Sequence, residues 1–277
     1  MIRIEKLGFS YGQVPVLKNI TMNLEPGKIY GLLGENGVGK TTLLTLLAGL
    51  KKPLQGSIDI DGSAPYSRTP QVLENQFYLA DEMLQVPMKA AEYARITGEF
   101  WPNYKQDTFE EIMELFENTS DKKMNEMSTG QLKKTYISLA LALGCKYLFL
   151  DEPTNGLDIP SKAQFRSALM KYTGEDSTIV ISTHQVRDLE NIIDPIIILD
   201  RQDVLLNASL EEISRKLYFD YGTQLHPESL YSEQLPGGFI QVYPNAEGAD
   251  SKVNIEALFN AVHHNKEFIK GLFAETL

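Results

Sequence analysis

The sequence has one cysteine, no long apolar run and no excess of basic charge. Because Cys145 has no internal disulfide partner, we expect a reducing, cytoplasmic setting. No segment approaches the roughly 18 to 20 uninterrupted apolar residues that a membrane-spanning helix needs, and the first residues do not resemble a signal peptide. Lys and Arg number 26 against 37 Asp and Glu, a net charge of -11. Nucleic-acid binders usually show a basic face, so we expect no nucleic-acid partner.

Hydrophobic patterning divides the chain into alternating strands and helices. A length of 277 residues allows one large domain, with or without a small appendage. Strands that alternate with helices predict an α/β sheet. The predicted strands are residues 2–7, 16–24, 29–33, 76–80, 147–150, 178–181, 196–199 and 239–243. The predicted helices are residues 40–50, most of 90–143, 161–170 and 255–263, the last capped by Asn254.

A glycine-rich segment between a predicted strand and a predicted helix fits the pattern G-x-x-x-x-G-K-[ST]. Glycines let the backbone turn its N–H groups onto phosphate oxygens, and the following helix N-terminus favours an anion. The lysine adds a charge near the β and γ phosphates, and the first threonine hydroxyl is a candidate Mg²⁺ ligand. The segment therefore predicts a site for nucleotide phosphates and Mg²⁺, formed by Gly34, Glu35, Asn36, Gly37, Val38, Gly39, Lys40, Thr41 and Thr42.

Two adjacent acids end the predicted strand at 147–150. Buried carboxylates are costly without a partner, and a divalent cation and a water nucleophile are natural partners. Given the upstream phosphate loop, we predict that Asp151 supports Mg²⁺ and that Glu152 is the general base for the attacking water.

Four further motifs make the sequence resemble the ATP-binding cassette (ABC) family. Residues 127–131 resemble its LSGGQ signature, and residues 153–158 resemble its D-loop. His184 follows a strand in the position of the family's switch histidine, and Tyr11 resembles its adenine-stacking aromatic. Through this resemblance the predicted nucleotide contacts extend to Tyr11, Ser128, Thr129, Gly130, Gln131 and Asp158, and the predicted catalytic residues are Lys40, Glu152 and His184.

The resemblance spans about residues 1–216 and implies the family's fold. That fold is an α/β phosphate-loop ATPase core with an antiparallel N-terminal β subdomain and a helical signature subdomain, here at about residues 83–140. In the family two such domains hold two ATP molecules head to tail. Residues 217–277 form a separate small α+β C-terminal appendage, for which we expect a role in dimer contact or regulation. Its His263-His264 pair is interpreted as a solvated helix end.

The motifs depart from the family pattern at two places. The signature carries Thr129 where glycine is usual, and a β-branched residue restricts the backbone. The Q-loop carries Asp81 and Glu82 where the family usually has glutamine. We choose Asp81 as the residue that reaches the metal or the water, with Glu82 as the alternative.

The resemblance is closest to bacterial ABC-2-type exporters. It implies an ATP-hydrolysing subunit that powers a membrane transporter from the cytoplasmic face of the plasma membrane. The expected partners are an integral membrane permease and a second cassette, either an identical copy or a related subunit. The permease groove is expected near residues 83–104, where Trp101 lies either at the interface or in the core. The alternative function is a soluble regulatory or translation-linked cassette with no transport role.

Overall fold

A six-stranded sheet forms the centre of the structure, a computed structural model that describes residues 1–274. Five of its strands are parallel, and the sixth, β9, is antiparallel to its neighbour. The parallel strands are short apolar runs, as is typical of strands buried on both faces. In spatial order the strands are β5 (Gln76–Leu79), β6 (Tyr147–Asp151), β7 (Thr178–Thr183), β3 (Ile29–Leu33), β8 (Ile196–Asp200) and β9 (Asp203–Ala208).

A second sheet of three antiparallel strands packs on the core beside the central sheet. Its order is β2 (Val14–Leu24), β1 (Ile2–Tyr11), β4 (Gln55–Ile60). Alternate residues of β1 point inward and join a hydrophobic cluster with α1 (Lys40–Leu47) and the central strands. This sheet places Tyr11, at the end of β1, beside the start of α1.

The predicted helical region contains three main helices. They are α3 (Ala90–Gly98), α4 (Gln106–Leu115) and α5 (Thr129–Ala142), and a break at residues 101–103 separates the first two. The apolar face of α4 is buried, which confirms the helical spacing of its hydrophobic residues. Two further helices flank the central sheet, the short α2 (Pro70–Leu73) and α6 (Ile159–Tyr172).

The C-terminal segment builds a third sheet. After α7 (Leu210–Lys216), β10 (Leu217–Gly222), β11 (Tyr231–Leu235) and β12 (Gly238–Pro244) pair in the order β10-β12-β11. Asn254 caps α8 (Ile255–His264) as predicted, and α9 (Lys266–Leu272) follows. The domain boundary at residue 216 stays a prediction, and the last three residues of the predicted segment 217–277 lie outside the described residues.

The structure corrects the interpretation of His263 as a solvated side chain. The His263 side chain is only 16% exposed, and its Nε2 lies 3.9 Å from a carboxylate oxygen of Asp200. Its Nδ1 lies 2.9 Å from the carbonyl oxygen of Phe259, one turn earlier.

Within residues 1–274, no helix is both long and apolar enough to cross a membrane.

Asp61 joins the antiparallel sheet to the central sheet. Its carboxylate accepts hydrogen bonds from the Met1 amino group at 2.7 Å, Lys146 at 2.5 Å and the Tyr147 hydroxyl at 2.7 Å. Partial burial acts to raise the pKa of Asp61, but these three donors outweigh it and hold the pKa well below its usual range. The contact connects the end of β4 to the start of β6.

Replacing Asp61 by asparagine removes this charge at nearly constant shape. We expect D61N to lower the free energy of unfolding at neutral pH by about 1 kcal/mol or less, because solvent screens a partly exposed pair. Since the folded-state pKa is lowered, the contribution is full above the unfolded pKa of about 3.9 and is lost as the pH falls below it. Urea unfolding of both proteins across this pH range measures the difference, with D250N as an exposed control. Equal stability at neutral pH, or a difference that grows on acidification, would contradict the assignment.

Candidate functional site

The phosphate loop connects β3 to α1 in a conformation that requires glycine. Gly37 and Gly39 have φ angles of 83° and 114°, in the left-handed region that glycine favours. A Cβ on Gly34 would lie 2.6 Å from the carbonyl oxygen of Leu199 on β8. The backbone therefore follows the path that the sequence pattern predicts, with α1 beginning at Lys40.

Lys40 lies buried inside this loop. Its Nζ donates to the carbonyl oxygens of Gly34 at 2.8 Å and Glu35 at 3.2 Å, and it lies 3.9 Å from a carboxylate oxygen of Glu152. Burial lowers the pKa of the Lys40 ammonium, while the Glu152 and Asp151 carboxylates act to raise it. The ammonium is thus placed to bind an anion at the N-terminus of α1.

The Asp151 carboxylate accepts hydrogen bonds from hydroxyl groups on three different elements. Its Oδ2 accepts from Thr41 at 2.6 Å and from Tyr78 at 3.2 Å, and its Oδ1 accepts from Ser182 at 2.5 Å. Ser182 is the residue paired with Asp151 in the register of β6 and β7. Burial, followed by the Asp151 charge, raises the pKa of the Tyr78 hydroxyl, so Tyr78 stays a donor.

The Thr41 and Asp151 pair offers oxygen ligands of the kind that Mg²⁺ prefers. Mg²⁺ is commonly held by one or two carboxylates together with water and substrate phosphates. No cluster of three or more His, Cys, Asp or Glu that could hold a metal occurs within the described residues. The residues present therefore fit an ion whose remaining ligands come from a nucleotide and water.

Glu152 has a left-handed backbone, with a φ angle of 45°. Its N–H donates to the Ser182 hydroxyl at 3.0 Å, which fixes the turn after β6. One carboxylate oxygen faces Lys40, and the other lies 2.9 Å from Nδ1 of His184. The structure thus brings together the three residues predicted to be catalytic.

Tyr11 lies beside the first turn of α1. Its hydroxyl is 3.3 Å from the Thr42 hydroxyl, and half of the residue is exposed. The ring packs edge-on against Phe9, and the Lys51 ammonium lies 4.9 Å from its centroid. Its role as the adenine platform stays a prediction.

The signature residues lie at the start of α5. The Ser128 hydroxyl accepts from the N–H of Gln131 at 3.3 Å, and the Gln131 side chain accepts from the N–H of Ser128 at 3.1 Å. This capping box starts the helix at Thr129. Thr129 therefore has a helical backbone, and the following Gly130 faces the carbonyl oxygen of Gly156 in the D-loop.

Asp158 ends the D-loop as the N-cap of α6. Its carboxylate accepts from the N–H of Ser161 at 2.9 Å, and hydrogen bonding by Ser161 lowers the pKa of Asp158. The hydrogen bonds of Asp158 and of Ser128 thus organise the starts of their own helices. Ser128 and Asp158 are bonded within their own helices, whereas Lys40 is bonded to the phosphate loop and Thr41 to Asp151.

Asp81, the residue chosen for the Q-loop, is hydrogen bonded to α5 and to the turn after β6. Its carboxylate accepts from Lys133 at 2.9 Å and from the Asn155 amide at 3.3 Å, whereas the Thr41 hydroxyl is bonded to Asp151. The choice between Asp81 and Glu82 as the functional Q-loop residue stays a prediction.

The C-terminal segment reaches the loop that follows His184. Arg187 in this loop forms an ion pair of 2.6 Å with Glu256 on α8. A cavity of about 510 Å³ lies between α8, this loop and the phosphate loop. Among its lining residues are Gly34, Glu35, His184, Gln185, Phe259 and Asn260.

Comparisons with known proteins agree with this geometry. The sequence profile described as ABC transporter matches residues 17–155, about half of the chain. The uncharacterized ABC transporter ATP-binding protein YdbJ of Bacillus subtilis is 32% identical over 225 residues, covering 76% of this chain and 70% of YdbJ. The bacitracin transport ATP-binding protein BcrA of Bacillus licheniformis is 28% identical over 224 residues, covering 78% of this chain and 72% of BcrA.

A solved structure of a dimeric bacterial ABC transporter cassette, MJ0796, shares the fold. Its TM-score is 0.68 at 23% identity, covering 76% of this chain and 99% of that chain. The chain therefore belongs to the ABC transporter family. It is an ATPase of that family, an ATP-binding subunit of a transporter, and the predicted fold class is confirmed.

Proposed function

We propose that this ATPase drives an exporter by closing head to tail with a second cassette around ATP. The observation that carries this proposal is the convergence of Lys40, Glu152 and His184 at the end of the phosphate loop. A base, a cation for the phosphates and a histidine that contacts the base are the groups that hydrolysis of a terminal phosphate requires.

Each residue takes a role that its contacts support. Lys40 exchanges its bonds to loop carbonyls for phosphate oxygens, since an ammonium binds phosphate more strongly than a neutral carbonyl. Thr41 and Asp151 would hold Mg²⁺, which would neutralise charge on the phosphates. Glu152 accepts the proton of the attacking water, and His184 orients the Glu152 carboxylate and the water.

Dimerisation follows from the arrangement of the two halves of the site. The chain has one phosphate loop and one signature helix. The N-terminus of α5, with its Ser128 cap, carries partial positive charge that favours the γ phosphate bound by a second copy. Closure then requires the third phosphate, and its hydrolysis permits opening.

We propose that the permease binds an apolar groove beside β5, the strand that precedes the Q-loop. Among the lining residues of the groove, Phe100 is 75% exposed and Ile96 is 39% exposed. Trp101 instead packs edge-on against Phe77 and donates its indole N–H to the carbonyl oxygen of Gln76, which supports the packing role for Trp101. The cavity is about 480 Å³ in volume and is lined mainly by Ala48, Leu50, Leu73, Phe77, Ile96, Phe100 and Trp101.

The export direction is proposed from the resemblance to bacterial ABC-2-type exporters, and the names of two relatives support a role in transport. BcrA is named as a bacitracin transport protein, and another relative, at 29% identity, is named as a lantibiotic transport protein. Binding to an integral permease would hold this chain at the cytoplasmic face of the membrane. A soluble regulatory or translation-linked cassette is the alternative that the experiments below distinguish.

The variant E152Q tests the catalytic role and the dimer together. We expect E152Q to bind ATP, to hydrolyse it at least about 100-fold more slowly because the base is lost, and to accumulate as a dimer with ATP and Mg²⁺. Size-exclusion chromatography with light scattering measures the dimer, and phosphate release measures turnover. The exposed-acid control E175Q should behave as wild type. Only monomers of E152Q at saturating ATP would reject the head-to-tail mechanism.

The variant F100D tests the permease-binding groove. We expect tagged wild-type chain, purified from detergent-solubilised membranes of its own cells, to retain an integral membrane subunit that F100D loses. A charge on the apolar surface carries an uncompensated desolvation cost on binding. The control F268D changes a 48% exposed aromatic on α9 and should retain the subunit. Recovery of the wild-type chain with ribosomes, and with no membrane subunit, would favour the alternative function.

A further inference from the structure

Lys133 is a buried lysine on the signature helix. Its side chain is 4% exposed, and Nζ has three acceptors. These are the carboxylate of Asp81 at 2.9 Å, the carbonyl oxygen of Asp81 at 3.1 Å and the carbonyl oxygen of Glu152 at 3.2 Å. An ammonium has three N–H donors, so these contacts use all of them.

Burying this charge is costly, so the bonds around Lys133 must be specific. A buried ammonium is tolerated only when it is paired and its donors are satisfied, and removal of one partner leaves an uncompensated charge. Asp81 supplies the pairing charge, and Asn155 in the turn after β6 donates to the same carboxylate. The cluster therefore joins three segments, namely the Q-loop, α5 and the turn that carries Glu152.

The bond to the Glu152 carbonyl bears on the proposed base. Glu152 has a left-handed φ of 45°, a conformation that is unfavourable for a residue with a side chain and must be held by its surroundings. Ser182 binds its N–H from one side, and Lys133 binds its carbonyl from the other. Both backbone groups of Glu152 are thus held, which fixes the direction of its carboxylate toward Lys40 and His184.

We propose that Lys133 is a positioning residue for ATP hydrolysis, which acts through the backbone of Glu152 and links that backbone to α5 and Asp81. Lys133 lies five residues after Ser128, about 7.5 Å along the same helix. If α5 moves when the chain closes on a second copy, the Lys133 ammonium that donates to the Glu152 carbonyl moves with it. The inference rests on the proposed role of Glu152 as the base.

Separate measurements of kcat and KM for Lys133 variants distinguish a positioning role from simple stabilisation of the fold. We expect K133M to lower kcat by about 10- to 100-fold, the effect of misplacing a reacting group by about 1 Å. The KM for ATP should stay within about threefold, because the phosphate contacts of Lys40 are unchanged. The conservative variant K133R, which keeps the charge and the donors, should recover most of the lost kcat.

A matched control is available in the C-terminal segment. Lys216 also donates to a carboxylate, Glu212, and to a backbone carbonyl, that of Leu272, but it lies away from the phosphate loop. K216M should lose stability in thermal unfolding while its kcat stays within about twofold of wild type. If K133M does not fold, K133Q also removes the charge and shortens the donor, and its expected loss of kcat is the same.

Two results would overturn the positioning role. One is a kcat of folded K133M within about twofold of wild type, and the other is a loss that falls on KM alone. Failure of the proposed base is recognised separately, because E152Q would then retain turnover whatever the result for Lys133.

Discussion

Asp151 holds the phosphate loop, the central sheet and the Q-loop strand in one arrangement. Its buried carboxylate accepts hydroxyl hydrogen bonds from α1, β7 and β5. A buried carboxylate that lost these donors would be several kcal/mol less favourable, so each donor is constrained in position. Because β6 and β7 are parallel and in register, Ser182 faces Asp151 and the loops that follow both strands leave the same edge of the sheet. The positions of Glu152 and His184 follow from this alignment.

The residue after Asp151 performs a different task in the same turn. Glu152 must point its charge toward Lys40, which requires a backbone conformation that most residues avoid. Ser182 and Lys133 stabilise that conformation from the core and from the signature helix respectively. The site therefore combines a rigid half, built on the central sheet, with a half that depends on the position of α5. Such a division suits an ATPase whose turnover responds to association with a second copy.

The central strands and the loop at 34–40 could be predicted from the sequence because their signals are local. An apolar run, glycines at fixed spacing and a following lysine determine the course of β3 and α1. By contrast, β4 and β9 to β11 were not predicted, and β10 and β11 lie in a segment rich in tyrosine, glycine and proline. Lys133, Tyr78 and Ser182 were also missed as site residues. Each joins the site through a contact between segments far apart in the chain, which no local pattern reports.

The ion pair of Asp81 is another contact that no local pattern reports. The position of Asp81 after β5 indicated a functional acid, but the partner of its carboxylate depends on where α5 packs, and the structure gives that partner as Lys133.

The central claim is that ATP is bound between the phosphate loop of one copy and the signature helix of another. A crystal structure of the chain with Mg²⁺ and a non-hydrolysable ATP analogue tests it most directly. The account predicts the γ phosphate between Lys40 of one copy and Ser128 of its mate. An analogue bound elsewhere, or bound with no second copy facing it, would contradict the account.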